Sequence, residues 1–235
     1  MTMPTQKKEA KRTPAFRDWF DGLKDRLART IVAARVERVQ MGLYGDVKPV
    51  GAGVSELRID YGPGLRVYFS ETLDNSIILL LVGGDKSHQA RDIKQAQQML
   101  ATLKQQRDTL NKARARQQVK GEIDMTMQDT PFHLDSVDGL DGLDNFDVTQ
   151  ALTTDAAIAA YISDVISSGD QPLINEAIRN VLKVKGVAAV ADLAGLTREG
   201  TYKALRPSSK PRFETLAALL DALGLEIKVV PKIAA

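Results

Sequence analysis

The sequence predicts an α+β fold in two parts, a small mixed domain followed by a mainly helical one. Apolar residues recur at helical spacing near both ends, and short strand-like runs cut by glycine lie between residues 47 and 82. Charge also divides the chain: residues 1–120 hold 22 Lys and Arg against 13 Asp and Glu, residues 121–178 hold 12 acidic residues and no Lys or Arg, and residues 179–235 hold 10 basic against 5 acidic residues. Such asymmetry favours nucleic-acid partners for the basic segments and makes the acidic one a candidate cover for one of them.

Composition excludes several classes of protein. The chain has no cysteine, which excludes disulfides and thiolate metal sites. Its longest apolar run, Ile77–Val82, is too short to span a bilayer, and the basic tail at residues 1–13 lacks the apolar core of a signal peptide. The only histidines, His88 and His133, have no accompanying carboxylate cluster. We therefore expect a cytoplasmic protein with no membrane contact, no metal site and no cofactor.

The first predicted domain covers residues 14–112. A helical stripe runs through residues 15–43, where we expect two amino-terminal helices, and the strand pattern then follows at 47–50, 54–61, 65–70 and 76–82. Tyr61-Gly62-Pro63-Gly64 is a turn signal, so the second and third strands form a hairpin in an antiparallel-rich sheet. After Gly83-Gly84 a long helix closes the domain.

Residues 113–145 are predicted to be a linker, acidic from residue 121. Within it, Met125-Thr126-Met127 repeats Met1-Thr2-Met3, which suggests a second reading frame joined to the first. A natural fusion and an engineered or frameshift-derived one both fit this repeat. Residues 146–170 follow as a strand at 146–152 and a helix from Asp155 to about Ser168, and we expect them to cover the first domain.

The last predicted domain, residues 171–235, contains helices at 172–184, 186–194, 197–205 and 211–223 and a closing strand at 225–230. Residues 187–206 fit a helix-turn-helix: Ala191 lets the helices cross and Gly195 supplies a turn with positive φ. The recognition helix would present Thr197, Arg198, Glu199, Tyr202 and Lys203 to operator DNA. An ordinary αα-hairpin is the alternative. One departure is Thr201, where the motif usually buries an aliphatic residue.

The predicted hairpin places polar side chains on its solvent face. With the turn centred on Pro63, Arg58 lies opposite Tyr68 and Asp60 opposite Arg66. Two guanidinium groups can clamp a phosphate, and a tyrosine ring can stack on a base. A polar outer face neutralised by Glu56 and Asp60 is equally compatible with the hairpin alone.

The carboxy-terminal region resembles a known family. The segment Leu196–Leu205, with Pro211–Leu216 and Leu220–Leu225, resembles the HigA-like addiction-module antidotes over about residues 146–230. This resemblance implies a homodimer on a partly palindromic operator and repression of its own operon. Ser208-Ser209-Lys210 stands where the family usually carries a Gly-Asn pair before the proline.

The amino-terminal region resembles the partner of such antidotes. The segments Glu56–Phe69 and Gly83–Ala96 resemble the HigB-like addiction-module killer branch of the RelE/ParE superfamily, over about residues 14–105. Many members cleave mRNA in the ribosomal A site, so the resemblance implies a metal-independent endoribonuclease. Arg58 and Arg66 are then candidates for the phosphate, Lys86 or His88 for proton transfer, and Tyr68 completes the catalytic set. Other members of the superfamily poison gyrase and are not nucleases.

Together these features predict a toxin–antitoxin module in one chain, with a latent mRNA-cleaving toxin covered by a DNA-binding antitoxin. A transcriptional repressor whose amino-terminal domain only dimerises or senses a signal is the alternative.

Overall fold

A computed structural model describes residues 7–72, 76–121, 140 and 143–229. It is an α+β structure, as the sequence predicts, with a six-stranded sheet followed by a mainly helical region. Two compact units divide the chain: one holds Lys8–Gly22 and Gly45–Phe146, and the other holds Met1–Lys7, Leu23–Tyr44 and Asp147–Ala235. We call them the sheet unit and the helical unit.

The sheet unit contains all six strands in the order β2-β3-β4-β5-β1-β6. Its strands are β1 (Glu9–Arg12), β2 (Val47–Gly51), β3 (Val54–Ile59), β4 (Leu65–Glu71), β5 (Ile77–Asp85) and β6 (Asp144–Asn145). Only β1 and β5 pair in parallel; the other neighbours are antiparallel. Residues 9–12 are therefore an inner strand and not part of a basic tail.

Two helices pack on the sheet within this unit. Helix α1 (Pro14–Asp21) contacts β5, and α3 (Gln89–Gly121) contacts β3, β4 and β5. The Gly83-Gly84 pair allows the close packing, because a Cβ on Gly83 would lie 2.0 Å from the Trp19 ring and one on Gly84 would lie 2.1 Å from Oδ2 of Asp92. Helix α3 continues through residues 113–121, which the sequence pattern predicted to be linker.

The hairpin register differs from the predicted one by two residues. Glu56 pairs with Tyr68 and Arg58 with Arg66, because β3 ends at Ile59 and the loop of residues 60–64 centres on Gly62 rather than Pro63. The face that carries Tyr68 is also not open to solvent. Tyr68 and Glu56 are both fully buried, in a unit where α3 packs on β3 and β4.

The helical unit contains α2 (Arg26–Gln40), α4 (Asp155–Ser167), α5 (Gln171–Lys185), α6 (Val187–Leu193), α7 (Arg198–Ala204) and α8 (Phe213–Ala222). The five helices after residue 150 lie within a few residues of their predicted positions. Helix α2 packs on α4, so this unit combines a helix of the predicted amino-terminal domain with the carboxy-terminal helices.

Two predicted strands are absent from the described residues of this region. The predicted strand 146–152 instead contains a 3-10 helix at Val148–Ala151, because the Asp147 side chain caps it by accepting from the backbone N–H and hydroxyl of Thr149. Residues 225–229 of the predicted closing strand have no regular structure and pair with no strand. The Met-Thr-Met repeat and His133 lie outside the described residues.

Candidate functional site

A buried carboxylate organises the predicted catalytic side chains on the sheet. Glu56 has no exposed surface and accepts hydrogen bonds from Arg58 Nε at 3.0 Å, the Tyr68 hydroxyl at 3.1 Å and Gln89 Nε2 at 2.8 Å. Its Oε1 also lies 3.8 Å from Arg66 Nε. We call Glu56, Arg58, Arg66 and Tyr68 the sheet-face cluster. Sequence reasoning treated Glu56 only as a neutralising neighbour and missed this central position.

The charges in the sheet-face cluster are only partly matched. Arg58 pairs with two carboxylates, Glu56 at 3.0 Å and Asp46 at 3.5 Å, whereas Arg66 Nε lies 3.8 Å from Glu56. Among the described residues, Arg66 Nε is buried without a hydrogen-bond partner. Burial, and then the negative charge of Glu56, raise the pKa of Tyr68 well above that of a free phenol. The tyrosine is therefore held as a neutral hydroxyl that donates to Glu56, and in this state it is a poor proton donor to anything else.

Lys86 and His88 lie at the end of β5, in a 3-10 helix at Lys86–His88. The Lys86 backbone N–H donates to the Gly64 carbonyl at 3.0 Å, and a Cβ added at Gly64 would lie 3.6 Å from both Lys86 Cβ and Arg66 Nη1. Lys86 and Arg66 thus flank the same hairpin loop. The His88 ring is half exposed, and its Nδ1 lies 2.9 Å from the Ser87 hydroxyl and 3.2 Å from Asp85 Oδ1. These contacts tie His88 to its own loop.

Residues 144–146 pack onto the edge of the sheet unit. Strand β6 adds to the edge of β1, the Phe146 N–H donates to the Ala10 carbonyl at 2.8 Å, and Arg17 pairs with Asp144 at 3.0 Å. The Phe146 ring meets the Phe16 and Phe20 rings edge-on, at centroid distances of 6.0 and 5.4 Å.

Leu140 and Leu143 lie on a different part of the sheet unit. They pack against a buried apolar cluster that includes Tyr68, Leu79 and Leu81. Two leucines from the acidic segment therefore lie against the same cluster of side chains that holds the buried ring of Tyr68. This contact is apolar, and it stabilises the unit by removing leucine surface from water.

Helices α6 and α7 of the helical unit lie in the segment, residues 187–206, for which the sequence predicts a helix-turn-helix. Gly195 takes a positive φ of 67° in the turn, and the Thr197 side chain caps α7 by accepting from the Gly200 N–H at 2.9 Å. Thr201 is fully buried, and its hydroxyl donates to the Thr197 carbonyl at 3.0 Å. That bond satisfies the Thr201 hydroxyl, which lies where the motif usually buries an aliphatic side chain.

The exposed face of α7 is basic. Arg198, Glu199, Tyr202, Lys203 and Arg206 line an open surface pocket of about 450 Å³. The Arg198 guanidinium lies 5.9 Å from the centre of the Tyr202 ring, at the distance of a cation–π contact. We call Arg198, Tyr202, Lys203 and Arg206 the recognition face. Arg206 was missed from the sequence because it lies past the end of α7, although its position after the predicted helix could have suggested a phosphate contact.

The loop after α7 is anchored to α5. Asn175 is fully buried and donates from Nδ2 to the carbonyls of Arg206 and Ser209, at 2.9 and 3.0 Å. Ser209 in turn donates its hydroxyl to the Ala204 carbonyl. The Ser-Ser-Lys segment that replaces the usual Gly-Asn pair is therefore held by side-chain hydrogen bonds.

Two properties of the described residues concern metal ions and membranes. Nowhere in residues 7–72, 76–121, 140 and 143–229 do three or more His, Cys, Asp or Glu side chains group so that they could hold a metal ion. Within the same ranges, no helix combines the length and apolarity needed to cross a bilayer.

Comparison with known proteins identifies the carboxy-terminal region. Residues 142–231 match the family described as probable addiction module antidote proteins. One uncharacterized protein of Haemophilus influenzae is 43% identical over 95 residues, which are 40% of this chain and 95% of that protein. A second uncharacterized protein of the same organism is 32% identical over 85 residues, which are 36% of this chain and 88% of that protein. No solved structure matches the chain significantly.

The chain therefore belongs, through residues 142–231, to the addiction module antidote family. We call these residues the antidote part and residues 7–121 the amino-terminal part. An antidote of an addiction module implies contact with a toxin partner. Each of the two relatives is matched over almost its whole length by less than half of this chain. More than half of this chain therefore has no counterpart in either relative.

Proposed function

We propose that the chain is a type II toxin–antitoxin module in one polypeptide, acting in the cytoplasm. Its amino-terminal part is a RelE/ParE-type endoribonuclease directed at mRNA on the ribosome, held latent by the antidote part. The observation that carries this proposal is that the antidote part contributes to both compact units. It supplies β6, Leu143 and Phe146 to the sheet unit, and it supplies α4, which packs on α2, to the helical unit.

The sheet-face cluster supports the phosphate-binding half of the proposed chemistry. The unsatisfied N–H of Arg66 suits an RNA phosphate, and Lys86 adds a second cation beside the same loop. A guanidinium placed on the scissile phosphate would stabilise the charge that develops in the transition state. Proton transfer would then fall to Lys86 or His88, while Tyr68 would first have to leave Glu56.

The recognition face supports operator binding by the antidote part. Three cations and a tyrosine lie at and just beyond the exposed face of a capped helix, and this is the set that contacts phosphates and base edges in a major groove. We propose that two chains bind a partly palindromic operator through these faces and repress their own operon.

Growth of bacteria tests the toxin assignment. Expression of residues 1–121 from a tight promoter should arrest growth, and co-expression of residues 140–235 should relieve the arrest. Replacing Arg58→Ala and Arg66→Ala together should abolish the arrest at equal protein level. Toxicity that persists in this double variant would remove the sheet-face cluster from the mechanism.

A repressor with a non-catalytic amino-terminal part is a second candidate, and one observation favours it. Glu56 is buried among the arginines and bonds to Tyr68, so the cluster also works as a neutralised structural core. This candidate predicts that residues 1–121 are harmless to cells while operator binding is kept.

A further inference from the structure

A buried polar cluster joins the amino-terminal part to the antidote part within the helical unit. Its centre is Glu37 on α2, which has no exposed surface. Oε1 of Glu37 accepts from Lys7 Nζ at 2.8 Å and from Asn180 Nδ2 at 2.8 Å, and Oε2 accepts from the Tyr161 hydroxyl. Asn180 Nδ2 also lies 3.1 Å from the Tyr161 oxygen.

Two of the three donors to Glu37 come from the antidote part. Tyr161 is fully buried on α4, and Asn180 on α5 is 3% exposed. A carboxylate taken out of water is strongly unfavourable unless hydrogen bonds satisfy its oxygens. Lys7 is the one donor of these three that the amino-terminal part supplies. An antidote with phenylalanine and leucine at the two positions would bury Glu37 with one donor instead of three.

Lys7 closes the open side of the cluster. Its ammonium group pairs with Glu37 at 2.8 Å and with Glu176 at 3.1 Å. Burial alone would lower the pKa of Lys7, but the charges of Glu37 and Glu176 outweigh it and raise that pKa. Lys7 therefore stays charged, and it is the donor to Glu37 that the amino-terminal part itself supplies.

We propose that Glu37 is the site at which the amino-terminal part selects its antidote. It admits a helix pair that presents a phenol hydroxyl and a carboxamide, and it rejects a pair with apolar groups at those two points. The inference rests on the proposed pairing of toxin and antidote, but it requires neither RNA cleavage nor DNA binding. Buried polar groups that cost an incorrect partner more than the correct one are a general source of selectivity.

A rim contact between the same helices provides the matched control. Arg38 on α2 pairs with Asp164 on α4 at 3.4 Å, and both side chains keep partial exposure. Within the described part of the chain, Arg38 Nε already lies buried without a hydrogen-bond partner, so Arg38→Gln removes one long ion pair at partly exposed side chains and should change association little. Glu37→Gln and Arg38→Gln each remove one charge from neighbouring positions of the same helix. The two positions differ in that Glu37 is fully buried and Arg38 is partly exposed.

The experiment uses the whole chain, cut after folding. A specific protease site is inserted within residues 122–139, and Thr102→Cys carries a fluorophore, because the natural chain has no cysteine. Dilution of the cut protein, followed by anisotropy, gives the dissociation constant of the two pieces. Glu37→Gln should weaken association roughly 100-fold and Tyr161→Phe about 10-fold, while Arg38→Gln stays within about threefold.

An apolar replacement of the whole cluster keeps the test decisive if single variants fold poorly. Glu37→Leu should weaken association strongly, and adding Tyr161→Phe and Asn180→Leu should restore most of it. When cut wild type and cut triple variant are mixed and left to exchange, native mass spectrometry should find the pieces sorted with their own partners.

Random exchange, or equal effects of Glu37→Gln and Arg38→Gln, would overturn the selectivity proposal while leaving the pairing intact. Wild-type pieces that separate at every concentration measured would instead contradict the proposed function itself.

Discussion

The two cationic surfaces of this chain are in opposite states. In the sheet-face cluster, Arg58 is bonded to a buried carboxylate and Arg66 is mostly covered, with 12% of its side chain exposed. On the recognition face, Arg198, Lys203 and Arg206 are all exposed. The same residue types are therefore paired with carboxylates or mostly buried in the sheet unit and exposed to solvent in the helical unit.

The largest expected effect is on the available surface. Replacing Arg198→Ala and Lys203→Ala together should weaken binding to the DNA upstream of the gene by roughly 100-fold, because each side chain that binds DNA contributes about 1–3 kcal/mol. The slope of binding against salt should also fall, by about one for each phosphate that is no longer bound. Fluorescence anisotropy measures both.

Lys228→Ala provides the control for that measurement, since it removes an exposed charge from the same unit that is not part of α7 or of the pocket beside it. Equal weakening in this control and in the double variant would mean that net charge alone, and not the recognition face, drives binding.

Removing the buried carboxylate tests the covered surface. Glu56→Gln should destabilise the chain by about 2 kcal/mol, because hydrogen bonds to a charged group are removed in a covered site. Urea unfolding measures this destabilisation. The exposed Glu199→Gln should leave the unfolding free energy within about 0.5 kcal/mol of wild type. Similar values for the two variants would show that Glu56 does not organise the cluster.

The apolar cover of the cluster gives a somewhat smaller effect. Leu140→Ala with Leu143→Ala should lower the unfolding free energy by about 1.5 kcal/mol, since both leucines are only partly buried. Hydrogen exchange should rise in β3 and β4 and stay unchanged in α7. Faster exchange in α7 as well would contradict a cover confined to the sheet unit.

A third group of charges, around Glu176, is partly buried, and its removal is expected to give the smallest effect. Glu176 pairs with Lys7 and Arg179; burial alone would raise its pKa, but these cations outweigh it and lower that pKa below the ordinary 4.5. A depressed folded-state pKa stabilises the protein above pH 4.5, and that contribution disappears as the pH falls below it.

Glu176→Gln should therefore cost under about 1 kcal/mol at pH 7, and the difference from wild type should shrink as the pH is lowered from 5 to 3. Urea midpoints measured across this range check the sign. A difference that grows toward low pH would contradict the assigned direction.

Local signals predicted the helices of the antidote part well. The caps at Thr154 and Thr197 and the turn at Gly195 are encoded within a few residues, so α4 to α8 fall close to their predicted positions. The hairpin was also predicted, but its register was wrong by two residues because either Gly62 or Pro63 could centre the loop.

Non-local features could not be predicted in the same way. Strand β1 has four residues of mixed polarity, and its pairing with β5 depends on a partner 68 residues away. The burial of Tyr68 depends on α3 and on leucines much further along the chain, and no periodicity within the hairpin signals that cover. Glu37, Tyr161 and Asn180 are far apart in sequence, and each looks like an ordinary polar residue until the helices meet.

The most direct test of the central claim is to map mRNA cuts during cell-free translation with residues 1–121, with the full chain, and with residues 1–121 carrying Arg58→Ala and Arg66→Ala. We expect ribosome-dependent cuts from the first protein and none from the other two. Absence of cuts from residues 1–121, with the fragment shown to be folded, would contradict a latent ribonuclease and leave operator binding as the function of the chain.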